Sequence, residues 1–281
     1  MKSSLLKKTR ALFWNVPRRI HASFATETAY RRNPPVIANS FPKSGTNLLK
    51  QVLGTLPEIR NLDTVVASMP SVPHVERSPA DTMQLLRRIT PRELVFCHLF
   101  YSDRFSQYLS SIHATHYFIY RDPRDVVLSE VHYLTRMNRW HSLHQYFKQL
   151  PNDHERIQFA ITGSEDAEFP IHYPDLRQRF ERYRGWLTDT NVMPVRYEDL
   201  NGPDRRNWIF RILQHHLTKL SARDSVRAEE LVEAAIANAA PSNSSTFYRG
   251  GSGRWQDEFS AANKKKVEEV LGNLLVELGY D

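Results

Sequence analysis

Val36-Ile37-Ala38-Asn39-Ser40, followed by Phe41-Pro42-Lys43-Ser44-Gly45-Thr46-Asn47-Leu48, reads as a buried strand, a loop and the start of a helix running to about Thr55. Where a strand gives way to a helix, a glycine lets the backbone curl so that its N–H groups and the helix N-terminus face an anion. Lys43 adds a point charge there, and Ser44 and Thr46 add hydroxyl donors. The stretch is a phosphate cradle. It is not the nucleotide-triphosphatase loop, in which the lysine follows the second glycine, because Lys43 precedes Gly45.

Further along, Leu94-Val95-Phe96-Cys97-His98, Tyr117-Phe118-Ile119-Tyr120 and Val192-Met193-Pro194-Val195-Arg196-Tyr197 read as further strands, with a helix from about Pro123 to Leu134 after the third. Short continuous apolar runs separated by helices predict one α/β domain over 36–281, with a central, mainly parallel sheet flanked by helices and a P-loop-like nucleotide-binding core. Stretches 61–92, 135–175 and 240–258 look less regular. A last helix should start at Ser260 as N-cap, run through Val267, Leu271, Leu274 and Leu278, and stop at Gly279. In such a sheet ligands bind beyond the carboxyl ends of the strands, so the chemistry is expected just after each strand.

Two more constellations fit that expectation. Arg121-Asp122-Pro123-Arg124-Asp125-Val126-Val127-Leu128-Ser129 follows the third apolar run; Arg121 can fork onto a phosphate, and Ser129, two helical turns on, can add a hydroxyl. Read alone, its charges could equally form a surface salt-bridge cluster. Arg249-Gly250-Gly251-Ser252-Gly253-Arg254-Trp255 places three of the chain's ten glycines between arginines, a backbone suited to wrapping an anion.

Together these motifs resemble the sulfotransferase family, which uses 3′-phosphoadenosine-5′-phosphosulfate as sulfuryl donor, over about residues 36–281. Gly185-Trp186 and Arg196-Tyr197-Glu198-Asp199-Leu200 are similar to two further landmarks, in the right order. The resemblance implies that Lys43, Ser44, Gly45, Thr46 and Asn47 hold the 5′-phosphosulfate, that Arg121, Ser129, Arg249 and Gly250 hold the 3′-phosphate, and that Tyr197 lies near the adenine. It further implies that His98 is the catalytic base for an acceptor hydroxyl, that Lys43 stabilises the leaving nucleotide during in-line displacement, and that no metal is needed. The chain departs from the family in four places: Leu48 replaces the aromatic that stacks on adenine, Phe96 replaces a lysine, Tyr248 replaces the first basic residue of the C-terminal clamp, and no Ser-x-Phe-like adenine contact is evident in 228–240. Met69, His74, Phe100, Trp140, Tyr146 and Phe147 are candidates to line the acceptor pocket. A lipid, glycolipid or carbohydrate hydroxyl and a small phenol or alcohol both remain open as acceptor.

The composition is that of an ordinary globular protein, with 41% hydrophobic and 25% charged residues, which excludes a disordered tail. The net charge of +7 lies entirely in residues 1–35, where eight basic side chains face one acid, while the remaining 246 residues carry 30 of each sign. That neutral body makes nucleic acid an unexpected partner. The first residues have a basic amphipathic pattern, with Leu5, Leu12, Phe13 and Val16 on one face, which suits either peripheral contact with an anionic membrane or an ordinary packed helix ending near Pro17. The single cysteine, Cys97, excludes an intrachain disulfide, and no apolar run is long enough for a spanning helix, so a cytoplasmic location is expected. Two rival readings differ in class. A nucleotide-dependent kinase conflicts with the loop order and lacks an acidic Mg²⁺ pattern; a non-catalytic nucleotide- or anionic-surface-binding protein would depend on residues 1–35.

Overall fold

A computed structural model describes residues 25–164, 169–220, 227–240 and 251–280. Five strands, β1 (Val36–Ser40), β2 (Arg60–Ala67), β3 (Glu93–His98), β4 (Thr115–Tyr120) and β5 (Val192–Arg196), form one sheet in the order β2-β3-β1-β4-β5, every pair parallel. β1 is central, and its five residues are all buried, as a strand covered on both faces must be. Its side chains alternate between two cores. Val36 and Ala38 join Leu94, Phe96, Tyr117 and Ile119 on one face; Ile37 joins Val95, Cys97 and Phe118 on the other.

The first face is covered by α1 (Thr46–Leu53), which follows β1. The helices that concern the site are α2 (Pro123–His132) after β4, α3 (Tyr197–Asn201) after β5, α4 (Arg205–Leu217) and α5 (Ala228–Asn238). Leu49, Val52 and Leu53 of α1 pack with Ile209, Ile212 and Leu213 of α4 and with Val232 and Ala235 of α5. The opposite face buries α2 through Val126, Val127 and Val131, and the C-terminal helices through Val267, Leu271 and Leu274.

Three expectations need correction. The stretch from 61, read as irregular, supplies β2, an edge strand whose outer half is polar and largely exposed, so it lacks the apolar run that marks the inner strands. The stretch 135–175 contains helices His144–Gln149 and Asp153–Thr162. The last helix starts on a Ser260 N-cap and ends at a left-handed Gly279 as expected, but it is two helices, Ala261–Leu271 and Leu274–Leu278, parted where Gly272 takes a φ of 54°.

The amphipathic pattern of the first sixteen residues, together with Arg249 and Gly250, lies outside the described residues. The end of the basic segment is described: Tyr30 is buried and its hydroxyl donates to the Ile89 carbonyl at 2.7 Å.

Candidate active site

The ends of β1, β3 and β4 converge on one cavity of about 700 Å³. After β1 the chain turns through Lys43, which takes a positive φ of 67°, and Gly45, at φ 98°, which heads α1. Glycine is required at 45 for a second reason: a Cβ there would sit 2.5 Å from Cδ2 of Tyr197. Lys43, Gly45, Thr46 and Asn47 line the cavity. Ser44 is fully buried beneath the turn, and its Oγ has no hydrogen-bond partner among the described residues. Such an orphan costs stability unless something else satisfies it, and an anion seated in the turn can.

Ser40, the last residue of β1, joins this turn to β3. Its hydroxyl lies 2.7 Å from Thr46 Oγ1 and 3.1 Å from His98 Nδ1. His98 Nδ1 also lies 3.1 Å from the Ser40 carbonyl. A carbonyl can only accept, so with Nδ1 donating to it Nε2 of the neutral ring keeps a lone pair. Burial holds the His98 pKa below the usual 6.5; the bond to Ser40 opposes this and Lys43 reinforces it. Asn39 Oδ1 accepts from Leu99 N at 3.0 Å and Trp186 Nε1 donates to the Leu99 carbonyl at 2.8 Å, so the residue after His98 is pinned from both sides. That is the packing role of the Gly185-Trp186 landmark; a Cβ on Gly185 would meet the Tyr101 ring at 2.3 Å.

The Arg121 segment is not a surface cluster. Arg121, Asp122, Arg124 and Asp125 are all buried. The Arg121 guanidinium carbon lies 4.3 Å from the Tyr197 ring centroid, Nη2 donates to the Gly251 carbonyl at 2.8 Å, and the buried Nε has no partner among the described residues. Ser129 lines the cavity two turns on. Asp125 accepts from Gly253 N at 2.8 Å and Trp255 N at 3.2 Å, which fastens the glycine-rich segment to α2. Arg124 forks onto Asp122, donates to the Tyr280 carbonyl at 3.0 Å and lies 3.9 Å from the Trp255 ring centroid. Sequence reasoning missed the role of Asp125; its place one helical turn from Arg121 was the available signal.

Two regions of the cavity extend from this centre. Leu48 and Gln51 on α1, Tyr197 and Asn201 on α3, Arg205 heading α4, and Ala239 line one. Arg205 Nη2 donates to the Ala239 carbonyl at 3.0 Å, and Asn238 Nδ2 donates to the Gln51 carbonyl at 2.6 Å, closing that cleft. Gln51 Nε2 and Arg205 Nε are buried there without partners among the described residues. In the other region, Met69, His74 and Phe100 line the cavity as expected, with Tyr133, His141 and Tyr183. Trp140 is instead 87% exposed, and Phe147 is buried in the core while Tyr146 packs edge-on against Phe169 at 4.7 Å.

A parallel α/β fold with a glycine turn, a buried arginine and a histidine around one cavity beyond the strand ends has the layout in which such sheets bind their ligands. The family model described as sulfotransferase domain matches residues 33–279, and the chain belongs to that family and is a sulfotransferase. A curated relative, zebrafish (Danio rerio) Sulfotransferase 6B1, is 25% identical over 255 residues, spanning 87% of this chain and 79% of its own. Mouse sulfotransferase SULT7A1, solved in complex with PAP, shares the fold at TM-score 0.56 and 17% identity, over 92% of this chain and 88% of its own. Retinol dehydratase, solved with androsterone and the inactive cofactor PAP, does so at TM-score 0.51 and 14% identity, over 86% and 80%. Among the described residues no helix is long and apolar enough to cross a membrane.

Proposed function

We propose that the protein transfers a sulfuryl group from 3′-phosphoadenosine-5′-phosphosulfate to an acceptor hydroxyl, with His98 as base. The donor would supply the activated sulfuryl group and a nucleotide leaving group. Lys43, Ser44, Gly45, Thr46 and Asn47 would hold its 5′ end, and Arg121 and Ser129 its 3′-phosphate. The two buried orphan donors, Ser44 Oγ and Arg121 Nε, support an anion at each place.

The observation that carries the reading is the Ser40 bridge. One hydroxyl touches both the turn at Thr46 and the ring of His98, so the base and the anion cradle are held as one unit. Nε2 of His98 then takes the acceptor proton, while the Lys43 ammonium offsets charge on the departing oxygen. Preorganised charge of this kind is worth about 3–4 kcal/mol per donor. The aromatic missing at Leu48 has a substitute in this proposal: the Arg205 guanidinium gives a plane on which a purine stacks, and the Gln51 amide can pair with its edge.

Isothermal calorimetry with PAP, the desulfated 3′,5′-bisphosphate nucleotide, tests the donor half. Binding that vanishes in Lys43→Ala and Arg121→Ala is expected; a folded wild-type chain that ignores PAP at high micromolar concentration would refute it. For the base, His98→Ala should lose turnover while keeping PAP affinity.

A further inference from the structure

Six large apolar side chains stand out as exposed among the described residues, and four of them, Val72, Val75, Met137 and Trp140, lie on two loops at the mouth of the cavity. The loops adjoin. Ser142 N donates to the Ser71 carbonyl at 3.3 Å, and the rings of His74 and His141 lie 5.1 Å apart. Ser71, His74, Met137 and His141 all line the cavity, so these loops form its rim. The loop is held at Trp140: its backbone N–H donates to Asn138 Oδ1 at 3.2 Å, and Asn138 Nδ2 donates to the Tyr133 hydroxyl at 2.8 Å. A tryptophan 87% exposed beside valines at 59% and 62% is costly in water and marks an interaction surface.

The charges on the rim indicate which partner it fits. Residues 69–77 and 136–142 carry three arginines, Arg77, Arg136 and Arg139, against one carboxylate, Glu76; Arg77 Nη1 is turned in to the Ala67 carbonyl at 2.6 Å, which leaves Arg136 and Arg139 exposed on the rim. Glu76 is itself paired to Arg182 at 2.5 Å, and Asp153, which faces Arg136, is shared with Arg156. Tryptophan settles at the headgroup level of bilayers, and arginines beside it are drawn to anionic lipid. Stable peripheral binding takes two signals, apolar and basic, and the rim has both. The excess charge of residues 1–35 has the same sign.

We propose that this rim docks on an anionic lipid bilayer. The cavity mouth would then open at the headgroup level, and, resting on the transferase reading above, the acceptor would be a lipid-borne hydroxyl.

The test uses the full-length Val75→Cys chain labelled with an environment-sensitive fluorophore. Labelling is selective because Cys97 is fully buried, and burial also raises its thiol pKa. With phosphatidylcholine vesicles containing phosphatidylglycerol, the chain should co-sediment and the label should shift to the blue; pure phosphatidylcholine should give neither. Arg139→Ala should weaken partition about five-fold, and Trp140→Ala should weaken it as well. The same label on Val276→Cys, exposed on the C-terminal helix, should stay aqueous.

An aqueous signal at residue 75 on anionic vesicles, whether or not the chain sediments, overturns the proposal, because residues 1–35 would then account for any binding. A blue shift that follows protein concentration without lipid also overturns it, in favour of a second copy of this chain. Labelled-donor transfer to a soluble alcohol but never to lipid in vesicles overturns the acceptor class alone. Failure of PAP calorimetry in every variant would instead sink the transferase reading and leave the docking result standing.

Discussion

The Lys43 ammonium lies 3.7 Å from the Tyr133 ring centroid and makes no ion pair or hydrogen bond among the described residues. Tyr133 opens the π-helical turn Tyr133–Met137 that extends α2. The ring therefore holds a cation over the proposed anion cradle without neutralising it, for a contribution of about 2 kcal/mol. This does not repay the lost hydration, and burial lowers the Lys43 pKa to about 8, against the pull of Glu130 and with help from Arg121. In the proposed function this ammonium, with no ion pair among the described residues, would meet the arriving phosphoryl or sulfuryl oxygen.

The pH dependence follows from these two groups. An anion bound at Lys43 raises its pKa, so PAP binding takes up a proton at and above pH 8, and affinity should fall as pH rises through that value. His98 has its pKa below the ordinary 6.5, so the neutral base persists into mildly acid solution. Turnover should stay level from pH 7 down to 6.5 and decline only below it. Calorimetry in buffers of different ionisation enthalpy and a kcat/KM profile for the donor, which reports the free enzyme, check the two limbs separately; an acid limb of kcat/KM centred above 6.5 would remove His98 from the role.

Gly45→Ala should damage both stability and donor binding. The residue sits at φ 98°, and its new methyl would overlap the Tyr197 ring at 2.5 Å. The left-handed backbone alone costs about 1–3 kcal/mol, and relieving the overlap must move Tyr197 away from Arg121. Thermal unfolding should show a lower midpoint, and PAP affinity should fall further than in a surface control such as Gln178→Ala.

Asp125→Ala should release the segment from Gly251 to Trp255. The carboxylate accepts two backbone N–H groups there and an arginine, and bonds to a charged acceptor contribute about 1.5–3 kcal/mol each. Hydrogen exchange at Gly253 and Trp255 should accelerate, and PAP should bind at least ten-fold more weakly. Unchanged exchange at those two amides would mean that something other than Asp125 holds the segment.

How much of this could be read from the sequence depended on burial. β1, β3 and β4 are buried on both faces, so Val36–Ser40, Leu94–His98 and Tyr117–Tyr120 appear as apolar runs, and the turn of Lys43, Gly45 and Thr46 is found after the first of them. β2 escaped because an edge strand such as Arg60-Asn61-Leu62-Asp63-Thr64 needs no apolar pattern until Val66. The break at Gly272 escaped because Val267, Leu271, Leu274 and Leu278 keep a helical spacing across it. Asp125 escaped because its partners are backbone N–H groups 128 and 130 residues away, which composition does not reveal.

The cleft beside Leu48 gives the last prediction. If Arg205 and Gln51 together do the work of the missing aromatic, their loss should be felt only by ligands that carry a base. Base–side-chain stacking is worth about 1–3 kcal/mol, so Arg205→Ala should weaken PAP by roughly ten-fold, and Gln51→Leu should remove the amide while keeping a similar shape. Neither change should alter binding of a ribose 3′,5′-bisphosphate without adenine, which in the proposed function the turn from Lys43 to Asn47 and the Arg121–Ser129 pair would hold. Arg205 also ties to the end of α5 through Ala239, so a general loosening would weaken both ligands equally; only a loss confined to PAP assigns the purine to this cleft.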